Sequence, residues 1–246
     1  MHRRIAGIGR GERVLGERTL LHELGQYLGD PQSWRAWSLA AQDGIISTAG
    51  ILLGFTGAGA NEATLLVAGT AAIVAGMLTA GGAKWSEAAA EREAQLRAVE
   101  HERSELREQR HIERAELIEY YQEKGLGPEL ATRVADELMI RSPLKAALER
   151  EHGILRLITR AEVMISGLVS AIAYGLGAAI PFAIAYYLPV SIEIWVIIFS
   201  VLVSLSLISV VGARAGHMNV SRTIRRTLIV ATITIIVSYL VGETAF

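Results

Sequence analysis

Ala41-Gln42-Asp43-Gly44-Ile45-Ile46-Ser47-Thr48-Ala49-Gly50 places one carboxylate inside an apolar run that begins near Ala36 and ends near Ala58. About 20 apolar residues cross a bilayer as a helix, so the run reads as a membrane span. Hydrocarbon offers an ionisable group no solvation, so a carboxylate there is paired, hydrated or functional. Asp43 is therefore the first candidate for handling a cation. The alternative is a carboxylate solvated at the membrane edge, since Asp43 lies about two turns inside the span.

Outward from this stretch the chain alternates two materials. It has 246 residues, 51% of them hydrophobic, and a mean hydropathy of +0.35. Nearly charge-free apolar blocks flank one very charged block, a segregation that argues for an integral membrane protein. The net charge of −1 gives no case for nucleic acid, and the absence of cysteine excludes disulfides and thiolate metal sites. No nucleophile–base pairing or phosphate loop suggests an enzyme. Arginines 3, 4, 10, 13 and 18 precede no apolar core at signal-peptide distance, so no cleavable signal is expected.

Residues 11–29 can form an amphipathic helix at the membrane surface or against the polar domain. Asp30-Pro31 starts a helix, with Trp34 and Trp37 where aromatic residues favour the interface. Spans are expected at about 36–58, 63–83, 161–187, 190–212 and 224–243, with a tight turn at 57–61. Pro181 should kink the third span and Pro189 start the fourth. Between spans two and three, residues 87–121 contain no Pro or Gly and are dense in strong helix formers, so span two can continue into them as one long helix. Gly125 stops that helix and Pro128 starts the next; Ser142-Pro143 caps a third.

The expected fold is an all-α integral membrane protein of five transmembrane helices, with a cytoplasmic helical insert between spans two and three, which the resemblance described below makes metal-binding. It divides into an N-terminal cytoplasmic amphipathic segment (1–34), spans one and two (35–86), an acidic helical domain (87–157) and spans three to five (158–246). Basic residues sit in the N-terminal segment, in the polar block and at Arg214, Arg222, Arg225 and Arg226, all on one side if there are five spans. The positive-inside rule then puts the N-terminus in the cytoplasm and Phe246 outside, in what we expect to be a bacterial plasma membrane. Gly50 and Gly54, and the stripe Gly167, Ala171, Gly175 and Ala179, allow close helix approach within one chain or between two.

The polar block also carries Glu102, Glu105, Glu113 and Glu116. At 100° per residue they fall at about 0°, 300°, 20° and 320°, so a single continuous helix gathers them within about 80°. Such a stripe repels itself unless a cation neutralises it, and carboxylate oxygen suits Mg²⁺, Ca²⁺ or Mn²⁺, or Fe²⁺ with help from imidazole. His101 and His111 are near in sequence, and Glu149, Glu151 and His152 can fold back to complete a site. The other reading is a solvated helix of mixed charge, since Arg97, Arg103, Arg107, Arg110 and Arg114 are interspersed. Glu108-x-x-His111 has di-iron-like spacing, but His111 lies opposite the glutamates.

Asp43-Gly44-Ile45-Ile46-Ser47-Thr48-Ala49, Ala75-Gly76, Tyr121-Gln122-Glu123-Lys124-Gly125-Leu126 with Glu129-Leu130-Ala131, Gly177-Ala178-Ala179-Ile180-Pro181 and Ser238-Tyr239-Leu240-Val241-Gly242 together resemble the vacuolar iron transporter family. The resemblance covers about residues 35–243, in order. It implies a homodimer of five-helix subunits that exports Fe²⁺ or Mn²⁺ from the cytosol by proton antiport, with no tightly bound cofactor. It places Asp43 in the translocation path, where Ser47 and Thr48 can replace water, and gives Glu102, Glu105, Glu113, Glu116 and Glu151 the gathering of metal. The second span departs from the family pattern, which closes with Ser-Met and then Gly-Glu-Tyr. Here Thr79-Ala80 and Ala83-Lys84-Trp85 stand instead. Met77 can supply a thioether from nearly the same face, whereas Lys84 would repel an incoming divalent ion unless it pairs or snorkels. These departures motivate a second reading: a membrane-anchored metal-binding or interaction protein that does not transport.

Overall fold

The computed structural model of the chain describes residues 24, 25, 27, 29–188 and 190–245. Most of the amphipathic segment expected at 11–29, and Pro189, lie outside them. The described residues form helices α1 (Pro31–Gly57), α2 (Glu62–Glu108), α3 (Arg110–Glu123), α4 (Pro128–Arg141), α5 (Pro143–His152), α6 (Arg160–Tyr187), α7 (Val190–Ala215) and α8 (Val220–Ala245), with no strand among them. Five of these, α1, α2, α6, α7 and α8, are long and apolar enough to cross a membrane. The chain is an all-α membrane protein.

Local chemistry sets most boundaries. Asp30 caps α1 by accepting the Gln32 amide at 3.3 Å, with Pro31 in the first turn. Gly125 has φ +93° and Gly153 φ +64°, the left-handed conformation that ends α3 and α5. Pro128 and Pro143 open α4 and α5 as expected, although the Ser142 side chain makes no capping bond. Pro181 is buried inside α6, which runs on to Tyr187.

One expectation fails. The helix from residue 87 does not reach 121: it ends at Glu108, and Gln109, at φ −132° and ψ 34°, separates α2 from α3. No breaker residue stands there. The interruption lets α3 pack its own core, Leu117 against Ala135, Met139 and Ala146 of α4 and α5, and burial of that core overrides helix propensity.

The chain divides into two compact units. One holds the described residues up to Ser86 and from Met164 onward; the other is Glu87–Val163. In the first, α1 is the most enclosed span. Ile45, Ala49, Leu52 and Leu53 of α1 pack with Ile197, Val201 and Leu205 of α7 and Ala231 and Ile235 of α8. Backbones meet directly where α1 crosses α6: a Cβ at Gly44 would overlap the Tyr174 carbonyl oxygen, and one at Gly177 that of Ala41. Gly50 and Gly54 pack on Ser238 of α8, while Gly167, Ala171 and Gly175 pack on α2. These five residues thus serve contacts within the chain, while Ala179 of the second stripe is exposed.

Candidate metal centre and membrane carboxylate

In the Glu87–Val163 unit, α2, α3 and α5 bring acidic groups together across the Gln109 break. Ligand atoms of Glu102, Glu105 and Glu113 lie within 4.8 Å of one another, and so do those of Glu102, Glu151 and His152. Glu102 belongs to both groups. It is fully buried, and neither carboxylate oxygen accepts a hydrogen bond, although His152 Nε2 stands 3.2 Å from Oε1. A buried carboxylate with no donor is costly unless it is protonated or meets a cation. Accordingly its pKa is raised above 4.5, by burial first and then by the charges of Glu151 and Glu113, against the smaller opposing effect of His152.

Glu113 is also buried, and burial likewise raises its pKa; Arg150 opposes the shift and Glu116 adds to it. Arg150 Nη2 donates to Glu113 Oε2 at 3.2 Å and to Glu151 Oε2 at 3.2 Å, and Nη1 donates to Glu116. Glu116 is half-exposed and stands outside both groups, held by the arginine. Glu149 is not brought in: it acts on Tyr121 and Lys124 at the other side of α5. His101 lies 3.6 Å from Glu105 Oε1, and His111 is exposed.

In the membrane unit, Asp43 stands near the midpoint of α1. Its neighbours Ala41, Gln42, Gly44 and Ile45 are buried, but Asp43 is exposed on the surface of its own chain. Ser47 Oγ donates to Asp43 Oδ1 at 3.2 Å. Ser47 also faces the buried Tyr174 phenol, which lies within electrostatic reach of Asp43 and fills the notch left by Gly76. A groove of about 430 Å³ starts at Ser47 and runs past Gly50, Ile51, Gly54 and Phe55 along α8.

The sequence pattern of the VIT family matches residues 34–243. The chain belongs to the VIT family. A vacuolar iron transporter of Acanthamoeba castellanii is 32% identical over 196 residues, 78% of this chain and 70% of that protein.

Within this VIT chain the second-span departures are placed as follows. Met77 packs its sulfur at Gly175 of α6, one residue from Tyr174. Lys84 is half-buried and engaged rather than free. Sequence reasoning missed two residues. Tyr174 carries no motif, though it stands next to Gly175 of the small-residue stripe and its ring packs on Gly76 of α2. Arg150 sits inside Glu149-Arg150-Glu151-His152, and a cation amid candidate ligands was the available signal.

Proposed function

We propose that this VIT protein transports divalent iron or manganese out of the cytosol in exchange for protons, as a homodimer. The observation that carries the reading is Asp43: an ionisable side chain exposed near the midpoint of an apolar helix. In this scheme Asp43 lies below the membrane edge, about two turns inside the apolar run, and lipid gives it no solvation, so that face lines an aqueous path or meets another protein surface. A second copy laid on the α1 and α8 groove would supply both, with the two Asp43 carboxylates and Ser47 hydroxyls lining a polar passage.

In this scheme the Glu87–Val163 unit concentrates the ion on the cytoplasmic side. Hard carboxylate oxygens select a divalent cation over a monovalent one by charge, and His152 adds a nitrogen that suits Fe²⁺ or Mn²⁺ more than Ca²⁺. Asp43 then takes the ion across and carries the proton on the return. The N-terminus is cytoplasmic and the C-terminus outside in this reading. The Acanthamoeba castellanii relative is named as an iron transporter, which supports the cargo.

Lys84 and Ala80 favour one competing reading, a metal-binding membrane protein without flux. The deciding experiment is Fe²⁺ and Mn²⁺ flux into proteoliposomes carrying a pH gradient, for the native chain, Asp43→Ala and Asp43→Asn. Flux in the native chain that both variants abolish supports transport through Asp43. Unchanged flux in both would sink the mechanism, and no native flux from protein that still binds metal would favour the second reading.

A further inference from the structure

The two ligand groups of the Glu87–Val163 unit share a guanidinium as well as Glu102. Arg150 Nη2 bonds Glu113 and Glu151, and these two carboxylates belong to different groups. The Arg150 side chain is only 10% exposed. Arginine keeps its charge throughout the accessible pH range, and its fork fixes where the donors point. One permanent positive charge therefore sits among Glu102, Glu105, Glu113, Glu116 and Glu151 and bonds three of them. It leaves unbonded the carboxylate most in need of a partner, the fully buried Glu102. An arginine serving only to neutralise the cluster would take Glu102 first.

We propose that Arg150 is a built-in counter-cation that competes with the metal, holding one carboxylate of each ligand group so that the cluster binds a divalent ion weakly and one at a time. The inference rests on the reading of this cluster as the ion-gathering site. An ion entering at Glu102 meets the same fixed charge of its own sign, Arg150, whichever group it chooses. It must loosen the bond to Glu113 or to Glu151 to complete its coordination. A site that hands its ion onward gains from such a competitor, because the arginine re-forms its bonds as the ion leaves and so favours release.

The test is Mn²⁺ titration of the full chain in detergent, for the native protein, R150Q, R150K and E102Q. R150Q should bind Mn²⁺ at least tenfold more tightly or take a second ion, while R150K, which keeps the charge, stays near native. Binding by R150Q that is no tighter than native, with native stoichiometry, overturns the proposal, as does R150K behaving like R150Q. Should R150Q need metal to fold, the Mn²⁺ concentration restoring its helical circular dichroism is set against the native Kd. A lower value supports the proposal, and an equal or higher one overturns it. The site reading has its own control: if E102Q binds like native, or native binds no Mn²⁺, the cluster is not the site and the role of Arg150 falls with it. If E102Q loses binding while R150Q gains none, the role of Arg150 alone fails.

Discussion

Replacing Glu102 by Gln should raise the stability of the metal-free protein and lower its metal affinity. Its carboxylate is fully buried, accepts no hydrogen bond and lies no more than 4.8 Å from those of Glu105 and Glu113. Two unit charges 4.8 Å apart repel by about 3.5 kcal/mol at an effective dielectric constant of 20. Arg150 offsets the Glu113 and Glu151 charges, so about one such repulsion remains on an ionised Glu102. The amide removes the charge but is itself left without partners, which costs roughly 1–3 kcal/mol. The net gain is then about 0.5–2.5 kcal/mol, or roughly 1–10 °C in Tm for a chain of this size.

In the same variant the cation loses the ligand common to both groups, which should weaken Mn²⁺ binding by at least about 10–100-fold. Thermal melts followed by circular dichroism, with chelator and with Mn²⁺, read both quantities on one sample. The two melts should converge: E102Q melts above native in chelator and gains little from Mn²⁺. A lower apo Tm for E102Q would refute the reasoning, since it would mean that the carboxylate is satisfied in the metal-free fold.

Three further outcomes follow from the same geometry. Glu102 and Glu113 have pKa values raised above 4.5, so their contribution to apo stability is fully present below pH 4.5 and is lost as pH rises through the raised values. Because a bound cation restores the ionised forms, the Tm increment from Mn²⁺ should grow from pH 4.5 to pH 7, and equal increments at both would contradict this. Gly177→Val should push α6 off the Ala41 carbonyl and cost about 1–3 kcal/mol with loss of flux, while Gly82→Ala, with nothing within 4 Å of the new methyl, should be neutral or stabilising in the same melts. Leu117→Ala should destabilise the Glu87–Val163 unit by about 2–5 kcal/mol and weaken Mn²⁺ binding; chemical denaturation showing less than about 1 kcal/mol would argue against its place at the centre of that core.

The five spans were legible because charge-free runs of sufficient length have few other uses, and Pro128, Pro143, Gly125 and Gly153 mark boundaries by backbone chemistry that no distant contact overrides. The acidic site was legible only in part. Glu102, Glu105 and Glu113 do meet, but the single helix that motivated their grouping is broken at Gln109, and α3 returns Glu113 to Glu102 by packing Leu117 instead. Glu149 and Glu151 lie 200° apart on α5, so one helix face cannot present both; Glu151 turns inward because Ala147 and Leu148, one turn earlier on its side of the helix, are the residues buried there. The acidic neighbours of Arg150 in sequence hint at a role for its charge, but they do not say that it faces the cluster rather than water. That choice belongs to the tertiary fold.

The Asp43-Gly44 pair shows how a packing need and a chemical need share one short motif. Gly44 is required because α1 and α6 touch backbone to backbone, and that crossing fixes the rotation of α1 about its axis. With Gly44, Ile45, Thr48, Ala49 and Leu52 turned inward, the helical period turns Asp43, Ser47, Ile51 and Phe55 outward as a stripe one turn apart. Asp43 is thus held on the open face by the same contact that needs the glycine, so a side chain at 44 would disturb the carboxylate without touching its charge. The stripe changes from polar at Asp43 and Ser47 to apolar at Ile51 and Phe55. A second copy on this face would meet a dry, well-packed seam at one end and a hydrated pair of carboxylates at the other. In the proposed dimer that division would suit a passage whose polar chemistry is confined to a short segment, with the apolar remainder as the contact between chains.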